Sequence, residues 1–134
     1  MNETTPQVRL LAGNRRAAFD YFIHERLEAG IALTGTEVKS ARTGKIQLSD
    51  AFVDFQNGEA FLVGAHISPY SHGNRENHLP DRSRKLLLSR REIDKLAGRV
   101  VTKGYSVVPL QVYLRGSRIK VEIGLAKGKK QYDK

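Results

Sequence analysis

The chain contains no cysteine and no tryptophan, and it has a single methionine and four prolines. Without cysteine, neither a disulfide framework nor a thiolate metal site is available. Its longest apolar runs are a few residues, such as Leu86-Leu87-Leu88, far below the ~20 needed to span a bilayer. The N-terminus Met1-Asn2-Glu3-Thr4-Thr5-Pro6 has no basic segment followed by an apolar stretch, so no signal peptide is indicated. G-x-S-x-G, a Walker loop and G-x-G-x-x-G are also missing, which removes the usual nucleophile and phosphate cradles. What remains is a single-domain cytoplasmic protein of 134 residues, 40% hydrophobic and 28% charged, an ordinary globular balance.

Charge is where the sequence departs from the ordinary. Twenty-three Lys and Arg face 14 Asp and Glu, a net charge of +9. Residues 82–103 hold eight basic and two acidic side chains, and residues 115–134 hold seven and two. The stretch 46–81 is instead net acidic, with five acids against one arginine. Segregation of this kind sets up a directed field, for which a polyanion such as nucleic acid is the natural partner. An anionic membrane surface and a merely solubilising surface are the alternatives.

Residues 1–13 show no period and read as a flexible arm, with the domain proper spanning 14–126. From Asp20 a strand is expected, with Tyr21, Ile23 and Leu27 on one parity. Thr34-Gly35-Thr36-Glu37 fits a capping box that opens a helix of about two turns, stopped at Gly44. Residues 51–63 form a hairpin about Asn57-Gly58, the strongest short hairpin signal; Ala65-His66-Ile67 extends its second strand. Residues 68–83 are a long surface loop. Ser89-Arg90-Arg91-Glu92 is a second capping box, followed by Ile93, Leu96, Ala97 and Val100 at amphipathic-helix spacing up to Gly104. A last hairpin alternates Leu110, Val112 and Leu114, then Ile119, Val121, Ile123 and Leu125, against polar neighbours. Residues 127–134 begin a mobile basic tail. The expected class is mainly β, an OB-fold-like antiparallel closed barrel with two or three flanking α-helices, because closure removes exposed strand edges.

The run Arg82-Ser83-Arg84-Lys85 ends the long loop and is a candidate phosphate contact; the alternative is a solvated charge cluster. Lys127 to Lys134 places four lysines around Tyr132, whose ring could stack on a base, or it is a generic basic terminus. Glu28 and Glu37 could accept hydrogen bonds from nucleobase amino groups or orient arginines, and Glu37 fits a cap equally well. His66, His72 and His78 with Glu76 and Asp81 match no HxH or HExxH ligand spacing. Glu25 and Glu28 fall on opposite strand faces, which argues against an acid–base pair. Neither an enzyme, a metal nor a cofactor is expected, although a metal-dependent hydrolase using those histidines stays open to test.

Asn14-Arg15-Arg16-Ala17, Asp20-Tyr21-Phe22-Ile23, Glu28-Ala29-Gly30, Gly35-Thr36-Glu37-Val38-Lys39-Ser40, Arg84-Lys85-Leu86-Leu87-Leu88 and Gly124-Leu125-Ala126-Lys127-Gly128-Lys129-Lys130 run in order along the chain. Together they resemble the SmpB family of SsrA-binding proteins. The resemblance implies an OB-fold that binds the tRNA-like domain of transfer-messenger RNA (tmRNA) at its D-loop and elbow. It also implies entry into stalled ribosomes for trans-translation, with the protein standing in for an anticodon arm in the small-subunit decoding region. Carried over by motif, Glu28, Leu87 and Ser89 lie in the RNA-binding patch, with Asn14, Lys39, Arg84 and Lys85 as neighbours. Lys127, Lys129 and Lys130 would add backbone contacts, and Tyr132, Asp133 and Lys134 would lie near the decoding centre. The protein would act as a monomer in the RNA complex. Family members usually continue beyond Lys134 with a basic tail of about 20 residues that folds on binding; with the tail cut short here, RNA binding is expected to survive and function on the ribosome to suffer. A general single-stranded RNA binder or a ribosome-associated OB protein is the other reading.

Overall fold

The computed structural model describes residues 8–72 and 77–129. In chain order the elements are β1 (Val8–Gly13), α1 (Arg15–Asp20), β2 (Tyr21–Ile31), α2 (Gly35–Arg42), β3 (Ile46–Gln47), β4 (Phe52–Gln56), β5 (Glu59–Val63), β6 (His66–Ile67), β7 (Arg84–Leu87), α3 (Arg90–Lys103), β8 (Ser106–Arg115) and β9 (Arg118–Gly128). Seven strands form one antiparallel sheet in the order β1-β8-β9-β2-β7-β5-β4, and β3 pairs with β6 in a separate two-stranded sheet. The class is therefore mainly β with three helices, but the expected closed barrel is not formed. The sheet curls until β4 packs near β8, yet among the described residues no ladder joins its edges. A cleft of about 470 Å3 is lined by Phe52, Val53 and Asp54 of β4 and by Ser106, Val107 and Val108 of β8.

Turn chemistry and capping follow the sequence closely. Asn57 (φ 53) and Gly58 (φ 76) make the tight turn between β4 and β5, as the primed hairpin turns require. At the start of α3 the Ser89 hydroxyl accepts from the Glu92 N–H at 3.1 Å, and the Glu92 carboxylate accepts from the Ser89 N–H at 2.9 Å. Gly104 ends that helix in the left-handed conformation. Ile93 and Leu96 face the main core with Ala29, Leu62, Val112, Val121, Ile123 and Leu125.

Four expectations about local structure need correcting. Residues 8–13 are not an arm but strand β1, paired with β8 from Val8↔Arg115 to Gly13↔Gln111. Asn14 caps a helix that sequence reading missed, its side chain accepting from the Ala17 N–H. His66 and Ile67 do not extend β5, because Gly64 (φ 84) turns the chain and they pair with β3. A Cβ on Gly64 would sit 2.8 Å from the Asp50 carbonyl, so the turn needs glycine in both conformation and space. Finally, Lys127 and Gly128 belong to β9, opposite Phe22 and Tyr21.

The sheet changes faces part-way along. Between Ile23 and Glu25 the register of β2 on β9 slips by a residue, and β8 slips likewise between Pro109 and Gln111. Such bulges send side chains of one parity to opposite sides. Tyr21, Ile23, Val108 and Leu110 thus pack with Ala17 beneath α1, whereas Leu27, Val112 and Leu125 enter the main core. Gly124 lies between the two bulges, where a Cβ would meet Leu110 Cδ1 at 2.9 Å and Ile23 Cγ2 at 3.1 Å. Gly124→Ala is expected to lower unfolding free energy by about 1–3 kcal/mol, the usual cost of overpacking, measured by urea denaturation. An unchanged midpoint would mean that α1 and its two supporting side chains shift freely.

Candidate nucleic-acid interface

Residues directly opposite each other on paired strands point to the same side of a sheet. The pairs Glu28↔Glu122, Gly30↔Lys120, Gly30↔Leu87, Tyr113↔Lys120, Arg115↔Arg118 and Leu10↔Tyr113 therefore assemble one outer face at the end of the sheet that α1 leaves bare. Leu87 is 55% exposed there. It lies across Gly30, whose missing Cβ would stand 3.2 Å from Leu87 Cβ. Beside it runs a groove of about 240 Å3, bordered by Leu33, Val38, Ile119, Arg118 and Lys120.

Three ion pairs set the charges on this face. Arg115 reaches Glu28 at 2.9 Å, Arg26 reaches Glu122 at 3.6 Å and Lys85 reaches Glu59 at 2.9 Å. Among the described residues Arg118 and Lys120 form no salt bridge, although the Lys120 charge adds to those that hold the Glu28 carboxyl down. Glu28 accepts from the Tyr113 hydroxyl and from Arg115 Nε, both on Oε2. The Tyr113 hydrogen bond, helped by Arg115 and opposed by partial desolvation, holds the Glu28 carboxyl below its ordinary range. Burial and the facing Glu28 carboxylate push the Tyr113 phenol up. At neutral pH Glu28 is thus an ionised acceptor with its Oε1 turned free of these partners.

Arg84, expected in the RNA patch, requires correction. Its side chain is fully buried, as is that of Glu37. Glu37 Oε2 accepts from Arg84 Nε at 2.8 Å and Arg82 Nε at 2.9 Å, while Oε1 accepts from Arg82 Nη2 at 2.7 Å and from the Thr34 N–H at 2.8 Å. Arg84 Nη1 donates to the Ala65 carbonyl at 2.8 Å and Nη2 to the Pro80 carbonyl at 2.9 Å. Burial alone would raise the Glu37 carboxyl, but these donors outweigh it and hold the group at about 2. The pair is a structural node that ties the end of the long loop to α2, and no phosphate can reach Arg84. In the alternating pattern of β7, Arg84 and Leu86 point inward and Lys85 and Leu87 outward.

The remaining expected residues divide. Asn14 is committed to structure, its Nδ2 donating to the Pro109 carbonyl at 2.7 Å. Ser89 is exposed at the mouth of α3 and serves as its cap. Lys39 is exposed on α2, with its Nζ 5.5 Å from the Tyr70 ring centroid. Lys127 sits at the far end of β9, on the opposite side of the sheet from Lys120, and Lys129 follows the strand. There Lys127 lies over the Tyr105 ring at 5.0 Å and Lys129 donates to the Ala18 carbonyl at 2.8 Å. The cations consequently do not form one continuous stripe; Lys127 and Lys129 stand at the end of β9, apart from the face around Leu87. Lys130, Tyr132, Asp133 and Lys134 lie outside the described residues. Sequence reading missed Arg26, Arg115, Arg118 and Lys120 as site residues, although the alternation of the last hairpin had already put Arg118 and Lys120 on its polar side.

The histidines do not converge. His66 Nδ1 lies 2.8 Å from Asp81, and His78 bridges Thr36 and the Ile67 carbonyl. No group of three or more metal-ligating side chains occurs among the described residues. No helix among them is long and apolar enough to cross a membrane.

A family model described as SmpB protein matches residues 11–134. The chain belongs to the SmpB family. An SsrA-binding protein of Pelobacter propionicus is 58% identical over 126 residues, covering 94% of this chain and 83% of that protein. One from Shouchella clausii is 58% identical over 134 residues, covering all of this chain and 85% of the relative. Among solved structures, an SmpB-family neighbour described as "tmRNA-SmpB: a journey to the center of the bacterial ribosome" is 48% identical with a TM-score of 0.75, covering 92% of this chain and 87% of the other.

Proposed function

We propose that this chain binds the tRNA-like domain of tmRNA and carries it to stalled ribosomes for trans-translation, acting in the cytoplasm as a non-enzymatic RNA-binding protein. Relatives 58% identical over nearly the whole chain are SsrA-binding proteins, and the structural neighbour is described with tmRNA and the bacterial ribosome. The observation that carries the reading to particular residues is the outer face around Leu87. It combines an exposed apolar ledge, a carboxylate oxygen on Glu28 turned away from Tyr113 and Arg115, and two cations outside any salt bridge among the described residues, Arg118 and Lys120. We read the curled sheet as OB-like and partly open, a form that commonly presents a sheet face to nucleic acid.

On this face RNA is held by shape and backbone. Arg118 and Lys120 meet phosphates, Leu87 packs on a sugar or base, and Glu28 Oε1 accepts from a 2′-hydroxyl or an exocyclic amine. Lys39 and Lys85 flank the face, and Ser89 lies beyond Leu87 in sequence. Lys127 and Lys129 provide a second backbone contact at the far end of β9, continued by Lys130. Tyr132, Asp133 and Lys134 then follow toward the small-subunit decoding region. Asn14 caps α1 away from the Leu87 face and is not itself a contact.

Competition binding tests the proposal. A minimal tRNA-like RNA should displace labelled RNA at a concentration well below that needed for an unstructured oligomer of equal length. Equal competition would favour a general single-strand binder and overturn the assignment.

A further inference from the structure

We infer that Lys39, Tyr70 and His72 form a second contact point that stacks one unpaired nucleobase of the same RNA, beyond the Leu87 face; this rests on the function proposed above. On the main face the Tyr113 ring is only 6% exposed with its hydroxyl given to Glu28, and Phe61, opposite Lys85, is half-buried. A ring cluster stands instead on the other side of α2. Val38 borders the groove beside Leu87, and the next residue, Lys39, holds its ammonium 5.5 Å from the Tyr70 ring centroid. The ring of exposed His72 stands 5.5 Å from that of Tyr70 at an interplanar angle of 71°. A half-buried ring with a cation over it and a second, exposed ring set edge-on to it is a combination that accepts a base with its flanking phosphate.

The cluster is built rather than incidental. Asn77 brackets Tyr70 through its backbone, Nδ2 donating to the Tyr70 carbonyl at 2.8 Å and Oδ1 accepting from the Tyr70 N–H at 3.1 Å. The next residue, His78, is 9% exposed and donates from Nε2 to the Ile67 carbonyl at 2.9 Å, with its Nδ1 2.8 Å from the Thr36 hydroxyl. Through Thr36 this part of the loop is fixed to α2, the helix that carries Lys39. A ring held this way loses little conformational entropy on stacking. Neither the buried ion network nor the caps need the Tyr70 or His72 side chains.

The test measures affinity for the minimal tRNA-like RNA with Tyr70→Ala, Tyr70→Phe and His72→Ala. Tyr70→Ala should weaken binding about tenfold and Tyr70→Phe hardly at all, since stacking needs the ring and not the hydroxyl. His72→Ala should fall between them, and all three should unfold at the wild-type temperature because Asn77 grips main chain. Chemical probing should show one unpaired base protected by wild type and exposed with Tyr70→Ala. Should Tyr70→Ala bind as wild type while Arg118→Ala and Lys120→Ala weaken binding, the second contact is absent and the main face stands. If none of these variants weakens binding, the function proposed above fails with it.

Discussion

Glu37→Ala should destabilise the protein by about 3–5 kcal/mol, the cost of leaving a buried guanidinium without its counter-ion. Arg84 stays at zero exposure with only the Ala65, Pro80 and Leu79 carbonyls to receive its donors. Against the ~5–15 kcal/mol that holds a typical domain, a loss of that size lowers the urea midpoint sharply. Arg82→Ala should cost far less, because Arg82 is 35% exposed and water can replace it. A Glu37→Met/Arg84→Met double variant should recover much of the loss, since removing both charges strands neither. If Glu37→Ala and Arg82→Ala fell equally, the burial argument would be wrong. The same network predicts an acid response. The Glu37 carboxyl sits at about 2 in the folded protein against 4.5 for its ordinary value. Its stabilising contribution is thus complete above pH ~4.5 and is lost as pH falls toward 2. Urea midpoints taken between those limits should decline in wild type and decline less steeply in the double variant.

This node also shows where sequence reading stops. Asn57-Gly58, the Ser89–Glu92 box and the Val121-Ile123-Leu125 alternation were legible because each is governed by neighbours a few residues away. Arg84 was not, because the same basic run is compatible with solvent or with a carboxylate 47 positions distant. The pleat of β7 decides between them by turning Arg84 inward and Lys85 outward. Nor can period-2 reading detect a bulge. Ile23 and Leu27 share parity in the sequence yet serve different clusters, since the slip at His24 depends on the partner strand. The edge strand β1 was hidden for a related reason: much of its side-chain surface stays exposed, so it leaves no strong apolar period, and its place is set by backbone pairing with β8. The family's motifs found the Leu87 face through Glu28 and Leu87, but its cations Arg118 and Lys120 emerge only once β9 is laid against β2 and β8.

Those cations yield the largest expected effect on binding. Each phosphate neutralised contributes a slope of about 0.7–0.9 in log affinity against log salt. With roughly five phosphates engaged, the wild-type protein should show a slope near −3.5 to −4.5. Removing two contacts with Arg118→Ala/Lys120→Ala should make the slope shallower by about 1.4–1.8 and weaken binding roughly 25- to 60-fold at 0.1 M salt. Stability should hardly change, because neither side chain forms a salt bridge among the described residues and Arg118 is exposed. Arg84→Ala gives the contrasting pattern: a lower urea midpoint, with an unchanged salt slope for the protein that remains folded. Binding isotherms at several salt concentrations separate the two, since a lost phosphate contact alters the slope whereas a lost folded fraction alters only the active concentration. If the double variant kept the wild-type slope, the polyanion would dock elsewhere, and Lys127 and Lys129 at the end of β9 would be the next residues to neutralise.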